Sequence, residues 1–442
     1  MPDRAADVGR RRWIGAFALA VLTFAATATL SARRNFVTVA RGDSHTRSSD
    51  PAAVSVSDDG RFVAFTSYVR LTPDDLNDFA DVYVLDRSTG RVSLETGGAS
   101  SGMRSSVSVW APHVSGTGRF LTYETVDMSR DVPLHLIMFR DRQAGSTRAL
   151  QRGDVRPDGG SRSACISADG AFVAFSSSAS NFVDGPDANG TGDDVYLLET
   201  SSMTFKRVSL DAAGAQSAQG ASFGPSLSAD GRYVAFTSTA PLEGPAPAGE
   251  RAVNVYVRDM RLGRTTRVSV ATDGGPSNGP SYGAAISGDG RYVAFVSEAT
   301  NLVRQRDRNR TRDVFVRDTV TRVTELVSRS ASGGTANGPS SQPAISHDGR
   351  VIVFQSDASD LVCVARCGDA ERDINLVADI FAYDRSSGKT RRVSQGRLPW
   401  SEPSVGPSVD GTGTVIAFST RHPIDANDDR NDYDLFVWAT ER

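Results

Sequence analysis

The sequence is poor in the side chains that most catalytic and metal centres use. Of its 442 residues only three are cysteine and five are histidine. The histidines show no H-x-H, H-E-x-x-H or mixed cysteine and histidine spacing, so no transition-metal site is indicated. They are His45, His113, His135, His347 and His422. The net charge of −3 gives no reason to expect nucleic acid as a partner, because nucleic acid attracts a clearly basic surface.

The cysteines and one short motif offer no clear nucleophile. Cys363 and Cys367 lie four residues apart in one predicted loop, a spacing that allows a small disulfide in an exported protein. Cys165 lies on a predicted inner strand with no base near it in the sequence, so we expect a buried apolar thiol. A G-x-S-x-G match at Gly98 to Gly102 falls in a Gly/Ser linker and lacks the strand-turn-helix context of a nucleophile elbow.

The first 32 residues differ in character from the rest of the chain. Three arginines, residues 10–12, precede an apolar run from Trp13 to Ala25, and the small residues 26–28 resemble a cleavage site. This pattern predicts a secretory signal. The alternative is an uncleaved membrane anchor, because Trp13 to Leu30 carries no charge and approaches the length of a membrane span. We therefore predict an exported protein, periplasmic, cell-surface or extracellular, with residues 33–442 as its domain.

One stretch dominates the remaining sequence. The run from Asp289 to Phe295 (DGRYVAF) is the clearest of seven related copies, which repeat with a period of about 60 residues. Their marker glycines are Gly60, Gly118, Gly170, Gly231, Gly290, Gly349 and Gly411. The Asp-Gly pair predicts a two-residue hairpin turn with positive φ at both central residues, and the apolar run behind it predicts a buried strand.

Each copy has the elements of a four-stranded antiparallel sheet. In the fifth copy we predict strands at 284–287, 292–297, 313–318 and 324–328, of which the third is apolar on both faces and must be covered on both. Seven such sheets predict an all-β fold, a seven-bladed β-propeller. The last copy ends after its third strand, so we expect the lone strand Phe36 to Ala40 to complete that blade and close the ring.

The repeated residues also carry a family resemblance. An S-x-D-G-R-[FY]-V-A-F run followed by a D-[VI]-[YF]-V strand resembles the WD-repeat-like propeller repeats of the TolB type, from about residue 35 to the end. The resemblance implies a propeller fold. Seven copies, and no room for an additional α/β domain before them, separate the chain from the Tol-system protein of that name, whose propeller has six blades.

The loop between the second and third strands carries the most specific polar pattern. In three copies it has the form D-x-N-x-x-x-D, and such carboxylate and amide oxygens are ligands that Ca²⁺ takes. The candidate metal residues are Asp75, Asn77, Asp81, Asp307, Asn309, Asp313, Asp373, Asn375 and Asp379. The alternative is a plain turn, because Asp and Asn bond their own backbone there without a metal.

For function we predict a non-catalytic, monomeric binding or scaffolding module that engages a protein or a glycan through one face, with no nucleic-acid partner. Membrane contact is expected only through the N-terminal segment. The small, hydroxylated inner strands, such as Pro225 to Ser228, favour binding over catalysis. The alternative is a lyase- or lactonase-type propeller enzyme with a metal-assisted site at the channel mouth. We expect the arginines after the Asp-Gly pairs, such as Arg232 and Arg291, to cover solvated turns, and a basic ring on one face is a further hypothesis for them.

Overall fold

We analysed a computed structural model of the chain. It describes residues 36–38, 53–96, 109–129, 131–243, 253–304, 309–362, 377–394, 402–421 and 434–440. These residues form 28 β-strands, and no helix occurs among them. A search of the same residues finds no helix of the length and apolarity needed to span a membrane. Residues 1–32 lie outside the described part, so the predicted signal or anchor stays a prediction.

The strands form seven four-stranded antiparallel sheets, which are the blades of a β-propeller. This confirms the predicted fold class. The innermost strands are β2 (Val54–Val56), β6 (Trp110–Val114), β10 (Ser161–Ile166), β14 (Ser222–Leu227), β18 (Ser281–Ile286), β22 (Ser340–Ile345) and β26 (Ser404–Val409). The second strands are β3 (Phe62–Ser67), β7 (Phe120–Asp127), β11 (Phe172–Ser177), β15 (Tyr233–Ser238), β19 (Tyr292–Ser297), β23 (Val351–Ser356) and β27 (Val415–Thr420).

The third strands are β4 (Asp81–Asp86), β8 (Leu134–Asp141), β12 (Asp194–Glu199), β16 (Asn254–Asp259), β20 (Asp313–Asp318), β24 (Asp379–Asp384) and β28 (Asp434–Ala439). The outer strands are β5 (Arg91–Leu94), β9 (Ser146–Ala149), β13 (Thr204–Arg207), β17 (Arg264–Arg267), β21 (Val323–Leu326), β25 (Lys389–Arg392) and β1 (Phe36–Thr38). Blades are numbered one to seven in chain order, from the β2 blade to the β26 blade.

The ring is closed by the N-terminal strand, as the sequence predicted. Strand β1 pairs antiparallel with β28, with Phe36 opposite Trp438 and Thr38 opposite Phe436. The last blade therefore has the order β1-β28-β27-β26. Its terminal edge is thereby paired within the molecule, which removes one site for aggregation.

The marker turn differs from the predicted two-residue hairpin. In the fifth blade Ser287 N donates to Tyr292 O (2.8 Å) and Gly290 N donates to Ser287 O (2.9 Å), so four residues form the turn. Only Gly290 among them has positive φ, at 74°. The Ser287 hydroxyl accepts from Tyr292 N (2.9 Å) and donates to Asp289 Oδ1 (2.6 Å). The prediction was wrong because it left out this serine, whose side chain supplies the extra bonds of the longer turn.

The marker glycine also meets a second constraint that comes from the neighbouring blade. A Cβ on Gly290 would overlap the ring of Tyr233, whose Cγ would lie 2.6 Å away. In the seventh blade the equivalent residue is Gly413 (φ 73°), which faces Val351 in the same way, and not Gly411 as the sequence predicted. The turn keeps four residues, 411–414, but Asp410 takes the place of the turn serine and accepts from Val415 N (3.0 Å), so the marker is Gly413.

The hydrophobic core lies between adjacent blades. The second and third strands are buried on both faces, as their apolar pattern predicted. Stacked aromatic pairs recur within the blades, such as Phe236 with Tyr256, whose ring centroids are 6.0 Å apart. The polar side chains left for function therefore lie at the channel, in the loops and on the outer strands.

Candidate functional site

The innermost strands surround a central channel whose two ends differ. Because alternate hairpins of an antiparallel sheet point to opposite ends, the marker turns lie at one end, which we call the lower end. The loops between second and third strands lie at the other, the upper end. Strands β6, β10, β14, β18, β22 and β26 begin at the upper end and run down to the marker turns.

A closed ring of backbone hydrogen bonds joins the seven blades at the lower end. Each marker turn donates one N–H to a carbonyl of the next blade, at 2.9–3.2 Å. The donor and acceptor pairs are Asp58 to Gly116, Thr117 to Ala168, Ala168 to Ala229, Ala229 to Gly288, Gly288 to His347, Asp348 to Gly411 and Gly411 to Asp58. The residue that follows the turn serine, or Asp410 in blade seven, lies at these contacts, and it is glycine or alanine in five blades.

The two exceptions, Asp58 in blade one and His347 in blade six, contact each other past blade seven at the lower end. His347 Nδ1 lies 3.2 Å from Asp58 Oδ2, and each side chain is about one third exposed. A Cβ on Gly116 would overlap the Asp58 carboxylate, and a Cβ on Gly288 would lie 2.8 Å from the His347 ring. The glycines in blades two and five therefore leave room for the pair. Burial raises the pKa of Asp58, and the charge of His347 opposes this shift.

Small polar side chains on the channel wall tie adjacent blades together. Ser55 Oγ accepts from Val114 N (3.1 Å), Ser226 Oγ from Ile286 N (3.1 Å) and Ser408 Oγ from Val56 N (3.2 Å). Cys165 lies at the corresponding position of the third blade and is buried, and burial raises its thiol pKa to about 12. A thiol with that pKa is not ionised near neutral pH, which agrees with the structural role predicted for it.

His113 is the wall residue that departs from this pattern. It lies on the innermost strand β6, at the position that serine holds in blades one, four and seven. Its Nδ1 is buried without a hydrogen-bond partner, and burial lowers its pKa to about 4. The imidazole is therefore neutral at physiological pH and adds no charge to the channel.

Six of the innermost strands contain a β-bulge near the upper end of the channel. In all six innermost strands from β6 to β26 the pairing with the second strand shifts by a residue near the upper end. The bulge residue has left-handed φ: Ala111 (48°), Ser163 (54°), Gly224 (60°), Gly283 (64°), Gln342 (51°) and Gly406 (64°). Left-handed backbone is costly for alanine, serine and glutamine, and such bulges are frequent beside binding sites.

The residue just before each bulge defines what we call the upper entrance. In blade order these residues are Trp110, Arg162, Phe223, Tyr282, Ser341 and Val405. The three aromatic side chains are half-buried, and the Arg162 side chain is 56% exposed. Four consecutive blades, two to five, therefore place large side chains at this end, whereas blades six and seven place small ones.

A buried carboxylate, Glu124, orients the entrance residue of the second blade, Trp110. Glu124 Oε2 accepts from Trp110 Nε1 (2.9 Å), and Glu124 Oε1 accepts from the backbone N of Ser163 (2.6 Å). The His135 ring packs edge-on against Trp110 with centroids 5.6 Å apart. Burial raises the pKa of Glu124, and these two donors oppose the shift. Glu124 therefore fixes both the indole and the bulge of the next blade.

The predicted calcium residues of the first blade lie together. Asn77 Nδ2 donates to Asp81 Oδ2 (2.8 Å), Asn77 N donates to Asp75 Oδ1 (3.1 Å), and the Tyr83 hydroxyl bonds Asp75 Oδ2. Asp81 Oδ1 accepts from the Thr96 hydroxyl (2.6 Å). Every carboxylate oxygen named here has a protein donor, which fits a turn held by hydrogen bonds.

The other predicted calcium residues are only partly described. Asn309 Nδ2 lies 3.1 Å from Asp313 Oδ2, and Asp379 Oδ1 accepts from the Ser394 hydroxyl at 2.5 Å. Asp307, Asp373 and Asn375 lie outside the described residues. Within the described ranges no group of three or more His, Cys, Asp or Glu side chains is placed to hold a metal ion. Calcium binding stays a prediction.

The third blade shows how such a loop is satisfied by nitrogen donors. Gln216 Nε2 donates to Asp187 Oδ1 (2.5 Å), Asn189 Oδ1 (2.7 Å) and Asp194 Oδ2 (2.7 Å). Arg207 Nε lies 3.3 Å from Asp194 Oδ2 and supplies positive charge. An amide and a guanidinium together occupy the place where three loop oxygens converge.

The predicted basic ring is absent because each of its arginines has a carboxylate partner. Arg232 Nη2 lies 2.7 Å from Asp259 Oδ2, and Arg291 Nη2 lies 2.7 Å from Asp318 Oδ2. The same pairing joins Arg61 to Asp86, Arg119 to Asp141 and Arg350 to Asp384. Each arginine therefore clamps the first hairpin of its blade to the second.

No protein-family model matches the sequence, and no curated protein matches it. Solved structures do match over most of the chain. An oligogalacturonate lyase from Vibrio parahaemolyticus is 14% identical, with 92% of this chain and 96% of that one covered, at a TM-score of 0.52. The β-propeller domain of the Trilobed protease from Pyrococcus furiosus is 12% identical, with 89% and 95% covered, at 0.52. An acylaminoacyl peptidase is 10% identical, with 88% and 52% covered, at 0.50.

These likenesses correct one prediction and limit another. The prediction that the chain is not an enzyme is wrong, because the propellers that share its architecture include a lyase and a peptidase. At such identities the likeness extends to the fold alone and assigns no reaction. A β-propeller relationship at low identity is confirmed, whereas membership of the TolB-type repeat family stays a prediction.

Both clusters at the channel ends were missed by the sequence analysis. Asp58 and His347 lie far apart in the chain and meet only because the ring closes. Alignment of the seven residues that follow the turn serine, or Asp410 in blade seven, would have shown two titratable residues among five small ones. The same alignment of the inner strands would have placed Trp110, Arg162 and Tyr282 at one position.

Proposed function

We propose that the protein is an exported carbohydrate-binding propeller whose ligand binds at the upper entrance. The observation that carries the proposal is the half-ring of Trp110, Arg162, Phe223 and Tyr282 at one register position of four consecutive blades. A site lined by aromatic side chains with a few placed polar groups is the usual form of a small-ligand site.

The residue types favour a saccharide that carries an acidic group. Aromatic rings with a polar edge, such as Trp and Tyr, suit a ligand that is partly apolar and partly hydroxylated, as the faces of a sugar are. Arg162 is mostly exposed, its Nε lies 3.6 Å from Asp193 Oδ2, and its charge also acts on the Glu124 carboxylate, both of whose oxygens already have other donors. That distance leaves the guanidinium able to bind a ligand carboxylate, for which a planar fork of donors is well matched.

Glu124 supports this site as a positioning residue. Its two oxygens accept from Trp110 and Ser163, so its charge orients the indole and does not compete for the ligand. The left-handed bulges also support the proposal, since Ala111 and Ser163 keep this backbone despite its cost. The solved lyase of this fold is named for oligogalacturonate, an acidic saccharide, which agrees with the proposed ligand class.

Calorimetric titration with a panel of neutral and uronate-containing oligosaccharides tests the proposal. We expect Trp110→Ala and Arg162→Ala each to weaken binding about tenfold or more, the loss of about 1.4 kcal/mol that one good contact supplies. The Arg162 variant should affect uronate ligands selectively. The same samples are analysed for cleavage products, because solved propellers of this fold include enzymes.

The matched controls are Ser341→Ala and Val405→Ala, which change the same register position on the opposite half of the ring. We expect both to bind as the unaltered protein does. Failure of the unaltered protein to bind any saccharide, or an equal loss in the control variants, would overturn the proposal. Circular dichroism of each variant confirms that the fold is retained.

A further inference from the structure

The outer strands carry exposed charge that is nearly all positive. We call the most exposed positions of β5, β9, β13, β17, β21 and β25 the outer rim. Six of these positions are basic: Arg91, Arg148, Lys206, Arg264, Lys389 and Arg391. The others are Ser146, Thr147, Thr204, Thr266 and Val323. The acidic residue of these six described strands, Glu325, has a side chain that is 42% exposed, and it lies 3.4 Å from Arg385 Nη2, with which it forms an ion pair.

The basic residues of the outer rim differ from the other arginines in their surroundings. Those of the marker turns pair with an aspartate, as Arg291 does with Asp318 at 2.7 Å. None of the six outer-rim residues forms an ion pair within the described ranges. Arg148 and Arg391 instead lie over aromatic rings, 5.2 Å from the centroid of Phe139 and 4.1 Å from that of Trp438. Their charges are oriented but not neutralised.

Protection of strand edges does not by itself explain the outer rim. Charged side chains on an edge strand prevent pairing with another chain, and lysine is the residue most used for this, whereas four of the six basic residues here are arginine. The chain has 52 acidic and 49 basic residues, so composition does not favour basic ones. Six basic residues without an acidic partner in the described part of the chain, against one acidic residue that has a basic partner, are the arrangement expected of a surface that meets a polyanion.

We propose that the outer rim binds a linear acidic polysaccharide that runs along the circumference of the propeller. A flat anionic surface fits less well, because the marker turns expose an inner circle of carboxylates at the lower end. These are Asp59, Asp169, Asp230, Asp289 and Asp348. A chain that follows the circumference contacts the basic residues and avoids these carboxylates.

Nucleic acid is disfavoured by the residue types on the outer rim. Proteins that bind single strands stack the bases on aromatic side chains. The rims of blades three and four expose only Thr204, Lys206, Arg264 and Thr266. They offer positive charge with no aromatic ring for a base to stack on, which matches a polymer of acidic sugars.

The test compares two double variants in blades three and four. Lys206→Gln with Arg264→Gln removes two charges, and Thr204→Gln with Thr266→Gln changes exposed neighbours on the same strands. The probe is alginate, with dextran as the uncharged polymer and a poly(dT) oligonucleotide of similar charge. We expect the unaltered protein to bind alginate and not dextran. The charge variant should bind alginate about tenfold more weakly at low salt, and its affinity for alginate should depend less steeply on salt concentration. The threonine variant should bind as the unaltered protein does.

Three outcomes would overturn this inference: no alginate binding at low salt, an equal loss in the threonine variant, or poly(dT) binding that matches alginate and falls equally in the charge variant. The last would identify a general polyanion surface. The test is independent of the upper entrance, because Trp110→Ala should leave the loss caused by the charge variant unchanged. A failed saccharide titration with intact alginate binding would refute the proposed function alone.

Discussion

Replacement of Gly290 by alanine separates the two constraints on the marker glycine. The residue has φ of 74°, and an added Cβ would lie 2.6 Å from Tyr233 Cγ of the preceding blade. Gly274 has φ of 85° and nothing within 4 Å of the same Cβ position. Gly274→Ala therefore reports the backbone cost alone, and Gly290→Ala reports that cost together with the clash.

The expected magnitudes follow from these two surroundings. Left-handed backbone costs an alanine about 1 kcal/mol, so Gly274→Ala should lower the free energy of unfolding by about that amount. Forcing an extra carbon into a packed contact costs about 1–3 kcal/mol more. We expect Gly290→Ala to lower it by about 2–4 kcal/mol. In a Tyr233→Ala background the additional cost of Gly290→Ala should fall to that at Gly274.

Urea denaturation followed by circular dichroism measures these differences. Each single variant is compared with the unaltered protein, and the Tyr233 and Gly290 changes form a double-mutant cycle. Equal losses for Gly290→Ala and Gly274→Ala would refute the blade-to-blade contact as a constraint on the marker. So would an undiminished cost of Gly290→Ala after Tyr233 is removed.

Three further outcomes are expected from other parts of the fold. Glu95, whose side chain is 4% exposed, binds Arg140 Nε (2.7 Å) and Arg142 Nε (2.8 Å) of the next blade. Glu95→Ala should therefore cost about 3 kcal/mol in urea denaturation, against less than about 1 kcal/mol for Asp78→Ala in the exposed Arg70 pair. The pKa of His113 is lowered to about 4, so the unfolded chain binds more protons between pH 4 and 6.5 and stability should fall as pH falls through that window. His113→Ser should reduce this slope, and an unchanged slope would contradict the assignment. If the predicted loops bind calcium, a chelator should lower the melting temperature and Ca²⁺ should restore it; an unchanged melt in both directions would remove that prediction.

The repeat pattern predicted the elements of the fold because each copy carries its own strand periodicity and turn residues. Strand β19 was predicted at its observed bounds, and the pairing of β1 with β28 followed from counting strands. The errors lie where one blade depends on another. Gly413 is the seventh marker because Val351 of the sixth blade packs against it, a contact that no single copy reveals.

The candidate site was less predictable for the same reason. Trp110 and Tyr282 belong to separate copies, and the bulges that precede the channel wall have no fixed residue type, since alanine, serine, glutamine and glycine all occupy them. The arginines of the marker turns were assigned to a basic ring because their aspartate partners lie on the third strand of the same blade. Sequence spacing alone does not show that two hairpins meet at one end.

The two ends of the channel are built for different tasks. At the lower end seven backbone hydrogen bonds draw the turns together, and the contact of Asp58 with His347 joins blades one and six. At the upper end the bulges interrupt strand pairing, and Trp110, Arg162 and Tyr282 stand where the interruption begins. A ligand that reaches the channel should therefore enter from the upper end. The outer rim lies away from the upper entrance, so a polymer bound there leaves the entrance free. The two proposed sites can therefore bind one saccharide chain or two separate chains.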